Sequence, residues 1–278
     1  MPELPEVEVA RRDLEREVAG RKFKSAEVRE KKTVRRHKTR PEYEKLLAGR
    51  KVKSFDRRGL FLIGKLDSDD VLVINMGSSG YLRRVKGGKP KADSDTKIIW
   101  TFSQGGGLLL GDPRSKVESF VVPKAELVDV EDFAEMGLDP LESPVPWQQF
   151  GAQLMRNKSA KLKATLQNER VIAGLGAVYS DEILHNAGLL YDRTPDTLSA
   201  HEIRRLYRGM IETMTQAVKF RGVSIDDNEL DIFGNPGEFG SELAVFGRYG
   251  ESCARCRGEI DRVKFQKRYH FYCPNCQS

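Results

Sequence analysis

The chain has 278 residues, 39% of them hydrophobic and 32% charged, which is ample for packed cores and excludes a disordered or fibrous polymer. Lys and Arg number 47 against 41 Asp and Glu, for a net charge of +6 and a pI near 9.0. That surplus suits a polyanionic partner, yet an ordinary solvated surface carries the same balance.

No run of about eighteen apolar residues is present, which excludes a hydrophobic membrane-spanning helix. The opening MPELPEVEVARRDLERE is acidic and amphipathic, unlike a secretory leader, and predicts a cytoplasmic protein, or a nuclear one in a eukaryote. From Glu6 onward Val7, Ala10, Leu14 and Val18 recur at helical spacing, with Gly20 as a stop. Lys51 to Leu66, Val71 to Val85, Lys97 to Phe102, Gly107 to Leu110 and Val117 to Val122 are rich in Val, Ile, Leu and Phe and punctuated by Gly, Pro and Asp. They predict a strand-rich domain over residues 1–138, a sandwich or open barrel, interrupted by a polar loop at Lys86 to Asp95.

DPLESPVPW, with three prolines, marks a linker over residues 139–147. Beyond it the period turns helical: Phe150 to Met155, Ala160 to Glu169, Ser180 to Ala187 and His201 to Phe220, with Gly174 and Gly176 breaking the pattern into a tight turn. This second domain runs over residues 148–245. Its last part, Arg221 to Ser241, is glycine-rich and reads as a mobile loop.

All four cysteines fall in a final module, residues 246–278. Cys253 and Cys256 form one CxxC knuckle, Cys273 and Cys276 another, and such spacing suits four thiolates around one structural Zn²⁺. A redox dithiol or an iron–sulfur cluster is the competing reading. Between the knuckles Arg262, Lys264, Lys267 and Arg268 alternate with Phe265, Tyr269, His270 and Phe271, a ribbon suited to nucleic acid or simply to water.

MPELPEVE at residue one, RVIAGLGAVYSDEILHNAGL, GNPGEFGSELAVFGRYGESC and the terminal KRYHFYCPNCQ together resemble the formamidopyrimidine-DNA glycosylase and endonuclease VIII family over essentially the whole chain. The resemblance implies a multidomain α+β fold: an N-terminal β-sandwich flanked by helices, a helix–two-turns–helix domain and a C-terminal zinc finger. It further implies a monomeric base-excision-repair DNA glycosylase with abasic-site lyase activity, acting on double-stranded DNA that carries damaged bases or abasic sites.

By the same resemblance the initiating methionine is removed and the secondary amine of Pro2 attacks the sugar, while Glu3 protonates the ring oxygen. An α-amino group titrates at about 7.7–8.0, so a substantial neutral fraction is available for attack. Glu6 and Glu182 match further carboxylates of the family site, either as proton carriers or as local hydrogen-bond acceptors. Lys163 and Arg268 match family positions that contact the DNA backbone, Arg114 is a kept DNA-binding position of the family, and the backbone amides around Gly174 and Gly176 are able to cradle a phosphate.

Four matched positions depart from the family pattern. Leu60 stands where the family has a lysine in the strand near Arg57 and Arg58, Ser78 and Lys116 where it has an apolar methionine and phenylalanine wedge, and Ala177 where it has an asparagine. These changes imply an altered lesion preference, or alternatively a non-catalytic sensor of damaged DNA. A zinc-ribbon RNA-binding protein is a remoter reading.

Overall fold

In the computed structural model, residues 2–142, 145–225 and 230–278 are described. The chain divides into two compact units, residues 1–134 with 221–238, and residues 135–220 with 239–278. Among the described residues no helix is long and apolar enough to cross a membrane.

The first unit opens with α1 (Leu4–Val18), whose start close to the first residue is the expected one, with Pro5 preorganising its first turn. The strands are β1 (Phe23–Val28), β2 (Val52–Arg58), β3 (Phe61–Leu66), β4 (Asp70–Asn75), β5 (Tyr81–Val85), β6 (Thr96–Phe102), β7 (Gly107–Gly111) and β8 (Glu118–Pro123). Between β1 and β2 lies α2 (Arg40–Leu47), capped reciprocally by Thr39 and Glu42.

The strands form two four-stranded antiparallel sheets, in the orders β1-β6-β7-β5 and β2-β3-β4-β8. Side chains of both, such as Trp100 and Leu110 from one and Phe55, Leu62 and Ile74 from the other, share one buried cluster with Leu14 of α1 and Tyr43 of α2. The fold is therefore the expected sandwich with flanking helices. Inside it the Tyr43 hydroxyl lies 2.8 Å from the Ser119 hydroxyl and accepts from Trp100 Nε1 at 3.2 Å, so its polar end is satisfied where no water reaches.

Two expected strand stretches are each a pair. Lys51 to Leu66 folds back at Gly59 and Leu60, and Val71 to Val85 breaks at the turn 77–79, sending β4 and β5 into different sheets. The short α3 (Glu131–Ala134) closes the contiguous part of this unit.

The second unit holds α4 (Trp147–Met155), α5 (Leu162–Leu166), α6 (Ala177–Ala187), α7 (Ala200–Lys219) and the hairpin β9 (Asp261–Phe265) with β10 (Arg268–Tyr272). The helix expected at Ala160 to Glu169 is only one turn and a half, because Asn168 and Glu169 turn their side chains onto backbone amides of the following loop. The segment anticipated as a linker starts inside this unit: Gly137 and Leu138 hydrogen-bond to Glu169 and Val171, and Leu138 bridges Ile172. Ser143 and Pro144 of that segment lie outside the described residues.

The glycine-rich stretch after α7 differs from expectation in both place and order. Residues 221–238 belong with the first unit, and their described parts are tied down. Arg221 pairs with Asp13 at 2.5 Å and Asp231 at 2.7 Å, Val223 bridges Glu238, and Ile232 is buried in the sandwich core. Asp226, Asp227, Asn228 and Glu229 lie outside the described residues.

Candidate functional site

The three glutamates of PELPEVE have separate structural partners. Glu3 is the N-cap of α1 and is buried; its backbone N–H donates to Glu6 Oε2 at 2.9 Å, closing a reciprocal capping box. Glu6 also accepts the Val223 amide on Oε1 at 2.9 Å. Gly222 makes that approach possible: its φ is +79°, and a Cβ there would stand 2.4 Å from Glu6 Oε1.

Glu8 faces the sheet and holds Arg57 of β2 at 3.1 Å, together with Arg11 at 3.0 Å and Arg12 at 2.8 Å. Burial opposes its charge, but hydrogen bonds from these three guanidinium groups prevail and hold the carboxyl at about 2. The consequence is a fixed helix start, ahead of which Pro2 sits half-buried. Met1 lies outside the described residues.

Two turns of the same unit are fastened together by Asp112, which is wholly buried. Its Oδ1 accepts from Ser79 Oγ at 2.5 Å and from the Arg114 amide at 2.9 Å, and its Oδ2 accepts from the amides of Lys116 and Val117, the latter at 2.8 Å. Gly77 packs so closely that a Cβ would lie 2.8 Å from the Lys116 carbonyl oxygen. Ser78, half-buried, and Lys116 and Arg114, both exposed, thus sit on one rigid double turn. Leu60 lies in the turn between β2 and β3 rather than in a strand, packed partly buried against the sandwich core.

In the second unit α6 carries most of the expected residues. Gly176 is its N-cap and Ala177 its first residue. The Gly174 amide donates to Glu169 Oε2 at 2.9 Å, so this amide is engaged within the turn. Glu182 is buried and accepts the amides of Ala244, Val245 and Phe246 at 2.7, 2.9 and 2.8 Å. Burial pushes its carboxyl upward against those three donors. Of the two roles left open for Glu182, this geometry is the local hydrogen-bonding one.

Lys163 is buried rather than presented to solvent, and its ammonium is ion-paired with Asp181 of α6. His270 of β10 joins them, with Nδ1 2.6 Å from Asp181 Oδ1 and 3.2 Å from Lys163 Nζ, while Asp181 Oδ2 accepts the Phe271 amide at 2.9 Å. Burial, reinforced by Lys163, lowers the His270 pKa and keeps the imidazole neutral. Asp181 and His270 were missed from sequence as functional partners; an acid in the apolar middle of a helix was the available signal.

One turn further along α6, His185 lies 3.6 Å from Cys253 Sγ, and burial lowers its pKa to about 4, leaving a neutral ring that can donate to a thiolate. The sulfurs of Cys253, Cys256, Cys273 and Cys276 all lie within 4.8 Å of one another and none forms a disulfide. The pairs at 3.9 Å and 3.4 Å bracket the edge of roughly 3.8 Å that a tetrahedron with Zn–S of about 2.3 Å requires. The four residues fit a structural zinc with no position left for substrate. Arg268 is exposed at the hairpin tip, beside Gln266 and Lys267, whose φ values of +45° and +70° make the two-residue turn.

Residues 1–117 match the family model of the formamidopyrimidine-DNA glycosylase N-terminal domain, 136–229 that of the formamidopyrimidine-DNA glycosylase H2TH domain, and 250–278 that of the zinc finger found in FPG and IleRS. The chain belongs to the formamidopyrimidine-DNA glycosylase family. It is 33% identical over 277 residues to formamidopyrimidine-DNA glycosylase of Pelotomaculum thermopropionicum, covering 100% of this chain and 99% of that protein. It is 34% identical over 280 residues to the enzyme of Heliobacterium modesticaldum, with full coverage of both.

Among solved structures it superposes on Lactococcus lactis Fpg in complex with abasic-site-containing DNA, at a TM-score of 0.89 and 28% identity over 99% of each chain. It also superposes on a glycine-to-proline mutant of the same protein in complex with Fapy-dG-containing DNA, at a TM-score of 0.91 and 28% identity over both whole chains. The β-sandwich, the helix–two-turns–helix module and the four-cysteine finger are therefore those of a DNA-repair glycosylase family.

Proposed function

We propose that this DNA glycosylase is bifunctional, excising a base and then nicking the strand through the amine of Pro2, on double-stranded DNA, with a preference shifted toward abasic sites. The observation that carries the reading is the anchoring of the chain start: Glu3 and Glu6 fix the first turn of α1, Glu8 ties the helix to β2, and Pro2 is left half-buried ahead of it. Once Met1 is removed, the Pro2 nitrogen is a secondary amine ahead of a helix N-terminus. The positive end of the helix disfavours the ammonium form and so favours the nucleophile.

The amine lone pair forms the N–C1′ bond as the C1′–base bond breaks, and the base leaves with the electron pair and takes up the proton that the amine nitrogen sheds. Protonation of O4′, assigned to Glu3, opens the sugar ring and yields an iminium. That cation acidifies C2′, whose proton loss expels the 3′ phosphate; water then hydrolyses the iminium and restores the amine. The neutral amine fraction sets the rate of the first step.

Lesion choice follows from the double turn. A flipped-out nucleotide leaves a void whose filling by an apolar side chain offsets a few kcal/mol of lost stacking, about what Ser78 and Lys116 do not supply. An abasic nucleotide lacks that stacking to begin with, so the altered turn penalises it least. Arg114 and Arg268 supply exposed cations for the backbone, and the protein works as a monomer.

The test is a cleavage assay on otherwise identical duplexes carrying an abasic site or 8-oxoguanine. Abasic DNA should be nicked at least tenfold faster, and Pro2→Gly lowers both rates. Equal rates would remove the altered preference, and absence of any nicking by protein with a free Pro2 amine would leave a DNA-binding sensor.

A further inference from the structure

The zinc hairpin has two faces, and only one is used by the packing already described. Arg268, His270 and Tyr272 alternate onto the face that meets Tyr191 and Asp181: the His270 and Tyr272 rings are stacked at 5.6 Å, and Tyr191 lies 4.5 Å from His270. The opposite face carries Arg262, Lys264, Tyr269 and Phe271, since Arg262 is paired with Phe271 and Lys264 with Tyr269 across the ladder. Phe271 is braced from below by Phe246, ring centroids 5.3 Å apart.

On that outer face the Arg262 guanidinium is held between two tyrosine rings, 4.2 Å from the centroid of Tyr249 and 4.4 Å from that of Tyr269. The rings remain 50% and 49% exposed, among the few large hydrophobic side chains so open to solvent. Among the described residues no carboxylate lies within ion-pair distance of Arg262, Lys264, Lys267 or Arg268. A cation–π sandwich by itself would stabilise the finger slightly. It does not account for leaving two half-exposed aromatic rings beside four uncompensated cations.

We propose that the Tyr249–Arg262–Tyr269 stack is a platform for unpaired bases of single-stranded DNA, separate from the duplex grip through Arg268. Single-strand binders combine aromatic faces, on which any base stacks, with cations that follow the phosphates. Here Tyr249 and Tyr269 supply the faces, Arg262 orders them, and Lys264 and Lys267 line the path of the backbone. The charge surplus selects a polyanion, and the ring faces select one whose bases are not already paired. The platform would hold a strand that has lost its partner near a lesion, and it does not depend on chemistry at Pro2.

The test uses the full-length zinc-loaded protein and a lesion-free 12-mer of thymidylate, read by fluorescence anisotropy. The alanine variants Tyr249→Ala and Tyr269→Ala should each weaken binding by roughly tenfold, whereas Tyr249→Phe and Tyr269→Phe, which keep the ring, should retain it. A matching deoxyribose-phosphate 12-mer without bases should bind wild type as weakly as the thymidylate strand binds the alanine variants. Zinc content, measured in every variant, shows that the finger is intact. The proposal is overturned if both alanine variants bind as tightly as wild type, if the baseless strand binds equally well, or if a uridylate RNA strand is preferred. Because no lesion is involved, these outcomes are separable from failure of the lyase reading.

Discussion

Asp181 Oδ1 lies 2.6 Å from His270 Nδ1, and this contact fastens the zinc hairpin to the helix whose first turn follows Gly176. With Glu182 gripping residues 244–246 and His185 reaching Cys253, three side chains within two turns of α6 hold the finger. Arg268 is two residues from His270 on the same strand, so the placement of that cation depends on a carboxylate in a helix.

Removing that carboxylate takes the ion-pair partner Asp181 away from the buried Lys163 ammonium. Asp181→Asn is expected to destabilise the second unit by about 3–5 kcal/mol. A double change to Asp181→Leu with Lys163→Met should cost much less, because no isolated charge remains. Denaturant unfolding of both variants, followed on the second unit, checks the pair.

Acid should weaken the first unit through Glu8. Its folded pKa, about 2, lies below the unfolded value near 4.5, so its contribution is complete above pH 4.5 and is lost as pH falls toward 2. Allowing for solvent screening of the exposed Arg12, the window is worth about 2 kcal/mol. Glu8→Gln should flatten the stability–pH curve between pH 4.5 and 2, measured by thermal unfolding.

Gly222→Ala introduces a Cβ where φ is +79° and Glu6 Oε1 is 2.4 Å away. The carboxylate must leave the Val223 amide or release the capping box. Strand nicking is expected to fall by roughly tenfold, since a small misplacement of the reacting atom has that scale of effect. Single-turnover rates on abasic duplex, with the melting temperature as a control, measure it.

Zinc should be bound at one ion per chain. Cys273→Ser, or a strong chelator, removes a ligand set whose binding is worth on the order of 10 kcal/mol to such modules. Amide exchange should then rise across residues 250–278 while the sandwich keeps its protection. Exchange unchanged in the finger on metal loss would mean that the four sulfurs are not its framework.

Much of this architecture was legible because it rests on short-range rules. Short runs rich in Val, Ile, Leu and Phe gave the strands, and paired CxxC knuckles gave the metal site before any geometry was known. What escaped depends on long-range pairing. His270 reads as one more polar residue in a basic ribbon, yet β10 turns it inward onto Asp181, 89 residues away in the chain. Lys163 reads as a surface cation for the same reason.

The stretch after Arg221 shows the opposite failure. Four glycines suggested mobility, but Gly222 is there so that the chain can pass Glu6, and Ile232 is a core residue. Glycine content reports backbone freedom in the unfolded chain and not whether the folded chain uses it. Asp112 is hidden for the same reason as His270, because its four donors come from two turns distant in sequence.

The central claim is covalent capture of the sugar by Pro2, and reductive trapping with peptide mapping addresses it directly. Protein treated with borohydride on abasic duplex should become covalently joined to DNA. After nuclease and trypsin digestion, the added sugar mass should reside on the peptide from Pro2 to Arg11, at the Pro2 nitrogen. An adduct on any lysine instead, or none from protein whose Met1 has been removed, would contradict it.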